Sequence, residues 1–159
     1  MYREKLLVVA NQTVDSDELY DTLHARAEHG PLAVTLLVPQ DQQAGLGQRV
    51  NAALDRLHAG GVEAEAMLGD VDPACAVIEV WDPRRWDEIL VSTLPNSTSR
   101  WLQIDLPHRV AKLTDCQVRH VSVPERRPAP PRTQTPPERR PMLERVASLM
   151  RSGTRSGAA

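Results

Sequence analysis

Residues 88–121 read EILVSTLPNSTSRWLQIDLPHRVAKLTDCQVRHV. The opening run, Glu88-Ile89-Leu90-Val91-Ser92-Thr93, is apolar enough to be a strand buried on both faces. Residues 94–99 form a polar loop. Residues 101–113 carry helical spacing, broken near Pro107, and a last strand opens at Gln117 and closes at Val123. A strand that passes through a short loop into a helix is the repeating unit of an open parallel sheet. In such sheets ligands dock at that junction, because backbone N–H groups and the helix dipole converge there. This stretch therefore gives both a fold class and an address for a site.

Toward the N-terminus the same unit repeats. KLLVVA (residues 5–10) and LAVTLLV (residues 32–38) are continuous apolar runs, as buried strands require, whereas VEAEAML (residues 62–68) alternates apolar and acidic residues, as an edge strand with one wet face does. Between them lie amphipathic helices. The first starts at Asp15-Ser16-Asp17-Glu18, carries Leu19, Leu23 and Ala27 on one stripe, and stops at Gly30-Pro31. The second, over 49–59, turns Val50, Ala53, Leu54 and Leu57 inward and ends at Gly60-Gly61. The third, over 73–81, has Pro73 in its first turn and Ala76, Val77 and Val80 inward, and Asp82-Pro83 breaks it. The order βαβαβαβαβ with short turns predicts an α/β fold, a five-stranded parallel sheet with helices on both faces.

With 159 residues, 41% hydrophobic content and a net charge of −2, the chain fits one domain of ordinary core size, built without any Phe. The mean charge hides an asymmetry. From Pro124 onward there are eight Arg against three Glu, a surplus of +5, so the first 123 residues carry −7. The predicted organisation is an α/β domain over 1–123, a Pro/Arg-rich linker over 124–141, a short amphipathic segment over 142–151 and a disordered tail over 152–159. The amphipathic segment gathers Met142, Leu143, Val146, Leu149 and Met150 on one side, a surface that suits a protein partner. The arginine pairs Arg126-Arg127 and Arg139-Arg140 come without aromatics for base stacking, so no nucleic-acid partner is expected.

The N-terminal run is too short for a signal peptide, and no apolar stretch approaches the roughly 18 residues of a membrane span. A cytoplasmic location is expected, with Cys75 and Cys116 as reduced, buried thiols. None of the five histidines pairs with a second ligand at helical spacing, so no metal site is expected. Asp82, Asp87 and Glu88 read as residues that cap and solvate a turn. Ser92, Ser97, Asp105 and His108 lie near one another in sequence but form no nucleophile–base set, so no catalytic residues are assigned.

Several strings are similar to the universal stress protein family. LLVVANQT resembles the family's first strand and turn. Gly69-Asp70 before Pro73 resembles its Gly-Asp-Pro turn, WDEILVST its Asp-x-Ile-Val-x-Gly strand, and HRVAKLTDCQVRHV its closing Arg-Val…Cys-x-Val pattern. The likeness spans about residues 4–123. It implies a fold related to the adenine-nucleotide hydrolases, a ligand such as ATP or AMP, and a homodimer formed through the final strand from Gln117 to Val123. The chain departs from the pattern of ATP-binding members. Their Gly-x-x-Gly becomes Ser92 and Pro95, and their later Gly-Ser/Thr falls at Ile104-Asp105 or Asp105-Leu106. Their acid after strand one becomes Ala10 or Asn11.

The expected site comprises Asn11, Val38, Ser92, Thr93, Asn96, Ser97, Thr98 and Arg100, with Val38 placed beside an adenine by the resemblance alone. Blander roles stand beside these: an Asx-turn for Asn11, helix capping for Ser97 or Ser99, and packing for Trp101. The function expected is a non-catalytic small-ligand or nucleotide sensor with a degenerate site. The alternative is an interaction scaffold that works through its basic tail, and a hydrolase ranks third.

Overall fold

The computed structural model of the protein describes residues 2–95 and 99–124. The linker, the amphipathic segment with its partner surface and the tail, beyond Pro124, lie outside the described residues, as do Asn96, Ser97 and Thr98. The elements are β1 (Glu4–Val9), α1 (Asp17–Glu28), β2 (Leu32–Pro39), α2 (Leu46–Ala59), β3 (Glu63–Gly69), α3 (Pro73–Val80), β4 (Glu88–Thr93), α4 (Arg100–Gln103), α5 (Leu106–Thr114) and β5 (Val118–Ser122).

The five strands form one sheet in the order β3-β2-β1-β4-β5, and every pairing is parallel. The apolar runs go to the middle: all six residues of β4 are buried, as are Leu6 to Val9 of β1. The alternating strand β3 sits at one edge, as its pattern predicts. Two apolar layers flank the sheet. Leu6, Val8, Leu36 and Val38 pack under Leu19 and Leu23 of α1 and Val50 and Leu57 of α2. Leu7, Val9, Leu37 and Val91 pack under Ala76 and Val77 of α3 and Leu106 and Val110 of α5. The alternation of neighbouring β1 residues between the two layers follows from the two-residue pleat.

Local chemistry fixes the helix starts. Ser16 caps α1 by accepting from Leu19 N at 3.2 Å, and Asp72 caps α3 by accepting from Ala74 N at 2.9 Å. The helical run after β4 does break in two, but at Ile104 and Asp105 rather than at Pro107. Pro107 lies in the first turn of α5, where its missing N–H is harmless. Asp105 holds the break in a left-handed conformation, φ 52°.

Two expectations are corrected. Cys75 is exposed, and Cys116 only half-buried, both as free thiols. Ala74, Ala76 and Val77 take the core-facing side of α3 and leave Cys75 on the wet one, where Asp72 raises its thiol pKa. Glu88 does not solvate a turn. It is buried, with Arg26 Nη2 at 2.7 Å from one carboxylate oxygen and Arg119 Nε at 2.9 Å from the other. Asp82 does behave as a turn residue, accepting from Arg84 N at 2.8 Å, whereas Asp87 accepts from Lys5 N at 2.8 Å and so ties the start of β4 to β1. β5 is the outer edge strand. Arg119, His120 and Ser122 are exposed along it, and Val118 and Val121 are half-buried.

Candidate functional site

β1 connects to β2 on one side of the sheet, while its other neighbour, β4, belongs to the second half of the chain. The crossovers therefore diverge at the carboxyl ends of β1 and β4, the position where open α/β sheets hold ligands. A cavity of about 170 Å³ lies there, lined by Asn11, Gln12, Thr13, Asp41, Ser92, Thr93, Leu94, Ser99, Arg100 and Trp101.

The floor is tied together by hydroxyls. Thr13 Oγ1 donates to Ser92 O at 3.2 Å and lies 2.7 Å from Ser92 Oγ. Thr13 has one hydrogen to share between the carbonyl and Ser92 Oγ, so either hydroxyl can be the donor in the second contact. Thr93 points to the opposite face. Its Oγ1 donates to Leu94 O at 2.9 Å and lies 2.7 Å from His120 Nε2, a contact whose donor is set by the imidazole tautomer. Although His120 is exposed as a residue, partial desolvation of its ring lowers its pKa, which favours the neutral ring. Asn11 Nδ2 reaches Pro39 O at 3.4 Å, linking the end of β1 to the end of β2. Asn11 Oδ1 is buried and has no hydrogen-bond partner among the described residues.

These bonds define what the floor offers. The hydroxyls of Thr13, Ser92 and Thr93 bond within the protein, and Asn11 presents a carbonyl oxygen. The lining thus offers hydroxyls, an open amide oxygen and the carboxylate of Asp41. Positive charge comes from Arg100 alone among the lining residues.

Of the residues expected at the site, Asn11, Ser92, Thr93 and Arg100 line this cavity. Val38 does not. It is fully buried in the layer under α1 and α2, because the pleat turns it from the cleft into the core. Asn11 makes a bond across to β2 rather than an Asx-turn, and its own carbonyl accepts from Val14 N at 3.2 Å. Ser99 caps α4, as expected, by accepting from Leu102 N at 3.3 Å, and it also lines the cavity. Trp101 likewise lines the cavity and packs against the core beside α5. Gln12, Thr13, Asp41 and Leu94 escaped the sequence reading. Thr13 follows Asn11 in the same turn and was within reach of the argument. Asp41 comes from the loop after β2, and only the sheet order brings it near. Among the described residues, no cluster of three His, Cys, Asp or Glu side chains is placed to hold a metal ion, and no helix is long and apolar enough to cross a membrane.

No family model and no curated protein matches the sequence. Solved structures do match. A universal stress protein in complex with cAMP is 18% identical, with a TM-score of 0.53 over 77% of this chain and 98% of that one. A universal stress protein family protein from Arabidopsis thaliana with AMP bound is 15% identical, with a TM-score of 0.50 over 75% of this chain and 91% of its own. A universal stress protein from Archaeoglobus fulgidus is 13% identical, with a TM-score of 0.53 over 76% and 94%. At these identities the likeness is one of architecture: this chain has the fold of the universal stress proteins.

Proposed function

We propose that the chain is a non-catalytic sensor of a small adenine-nucleotide-type ligand, of the AMP class rather than ATP, bound in the cleft between the ends of β1 and β4. The observation that carries this reading is the buried Asn11 Oδ1, which has no hydrogen-bond partner among the described residues. A buried acceptor left empty costs about 1–3 kcal/mol, and a ligand that donates to it recovers that cost. Adenine amines and ribose hydroxyls are such donors, and Asp41 suits ribose hydroxyls as well.

The phosphate end is reduced. Polyphosphate cradles are built from backbone N–H groups that glycines leave accessible. Here Pro95 removes one donor, and Arg100 is the single cation among the described lining residues. Asp105 supports the same reading. Its φ of 52° is a conformation that glycine favours, at one of the two positions where the family pattern has its later glycine, yet the residue is an acid that repels phosphate. Two of the structural neighbours carry cAMP and AMP, which is in keeping with a monophosphate ligand.

Calorimetric titration of the full chain with AMP tests this. Asn11→Ala should weaken binding about ten-fold, the loss of one hydrogen bond to a buried acceptor, without lowering thermal stability. Arg100→Gln should weaken AMP but not adenosine. AMP binding that ignores both substitutions would remove the ligand from this cleft.

A further inference from the structure

A second polar cavity, of about 270 Å³, lies at the opposite end of the sheet, on the face that carries α3. It exists because α3 is short. Eight residues span only about 12 Å, enough to cover the upper rows of the sheet but not the lowest. The lowest row is Lys5, Ala33 and Glu63 in register across β1, β2 and β3, and the next is Leu7, Thr35 and Glu65. Lys5 is consequently exposed although it lies on the central strand. The turn after α3 closes one side of the cavity with Arg84, Arg85 and Trp86, and Arg3 stands at its edge.

The charges within the cavity do not balance. Glu63 is held by Arg3, and Glu65 accepts from Thr35 Oγ1 at 3.2 Å, which in turn accepts from Trp86 Nε1 at 3.2 Å. Glu63 is thus ion-paired while Glu65 keeps its charge, so four cations against two carboxylates leave the lining a surplus of 4 − 2 = +2. Lys5, Arg84 and Arg85 have no carboxylate partner for their side chains among the described residues. Three unpaired cations share one concavity on a domain whose first 123 residues carry −7. They are also held in place. Asp82 accepts from Arg84 N at 2.8 Å and from Arg85 N at 2.9 Å, Arg85 stacks 4.5 Å over the buried Trp86 ring, and Asp87 accepts from Lys5 N at 2.8 Å. The backbone bonds anchor the turn, and the stacked Arg85 guanidinium loses less entropy when it binds an oxyanion.

We propose that this concavity is a second binding site, independent of the cleft, for a phosphate-bearing ligand held by Lys5, Arg84 and Arg85. The same chemistry is offered by a free phosphorylated metabolite and by a phospholipid headgroup. The probes are therefore inorganic pyrophosphate in calorimetry and phosphatidylcholine vesicles containing phosphatidic acid in flotation, both with the full chain. The expected result is binding that weakens about ten-fold or more in Arg84→Gln/Arg85→Gln, and again in Lys5→Gln, but not in the cleft variant Arg100→Gln. All three substituted residues are exposed, so folding should be retained, with circular dichroism as the check. Response to pyrophosphate assigns a free ligand, and response to vesicles alone assigns a headgroup. No binding of either probe, or binding that persists in Arg84→Gln/Arg85→Gln and so belongs to the arginines beyond Pro124, overturns the proposal. Loss in Arg100→Gln alone would place the anion in the cleft instead.

Discussion

Thr93 shows how much one residue at the end of a central strand can decide. Its hydroxyl joins the β4 carboxyl end to β5 through His120, while Ser92, one step earlier, joins the other face to the β1 turn through Thr13. The sequence showed that Ser92 and Thr93 end a buried strand beside a loop. It did not show their partners, because Thr13 is 79 residues and His120 is 27 residues away along the chain. The His120 bond has a pH consequence. Partial desolvation of the ring lowers the folded-state pKa below the unfolded value, so the unfolded chain binds the extra proton first on acidification. Stability should therefore hold above about pH 6.5 and fall as pH drops through the window between the unfolded and the folded pKa. Chemical denaturation at pH 7.5 and pH 5.5 should show a larger acid loss for the natural chain than for His120→Gln. Equal losses in the two would remove His120 from the account.

At the level of elements, apolar runs and stop signals placed β4 over residues 88–93, and α3 within one residue at its end, from the sequence alone. Both are bounded by strong local signals, namely a continuous apolar run and a proline followed by an Asp-Pro breaker. The helix after β4 was less legible. Its break depends on the left-handed backbone of Asp105, and no residue type announces that conformation as glycine would. α2 starts at Leu46, three residues earlier than its apolar stripe suggests, because Gly45 at φ 82° turns the chain into it without a side-chain cap. The junction of β3 with α3 gives a direct test of packing. A Cβ at Gly69 would stand 2.7 Å from Ala76 Cβ and 3.0 Å from Leu37 Cδ1, closer than atoms in a core tolerate. Gly69→Ala should destabilise the protein by about 1–3 kcal/mol, read as a lower denaturation midpoint with unchanged slope. An unchanged midpoint would mean that α3 is free to shift.

Across the whole molecule, one buried carboxylate ties four elements together at the end of the sheet opposite the cleft. Glu88 of β4 meets Arg26 of α1 and Arg119 of β5, and Arg26 also reaches Glu4 of β1 at 3.0 Å. Glu88→Ala would leave the largely buried Arg26 without that partner and should cost about 3–5 kcal/mol. Arg119→Ala, at the exposed side of the same cluster, should cost under about 1 kcal/mol. Similar costs for the two would show that the cluster is solvated throughout. Sequence periodicity carried the architecture because strand and helix faces are set by local repeats. The cleft was legible only in part, since its address follows from topology while Gln12, Thr13 and Asp41 reach it through folding. The central claim is that this cleft keeps the nucleoside side of a nucleotide site and has lost the polyphosphate side. Calorimetry of the full chain with adenosine, AMP and Mg-ATP tests it most directly. The account predicts that AMP binds at least as tightly as ATP, and that adenosine keeps most of that affinity. ATP binding ten-fold or more tighter than AMP, about 1.4 kcal/mol, or no heat with any of the three, would contradict it.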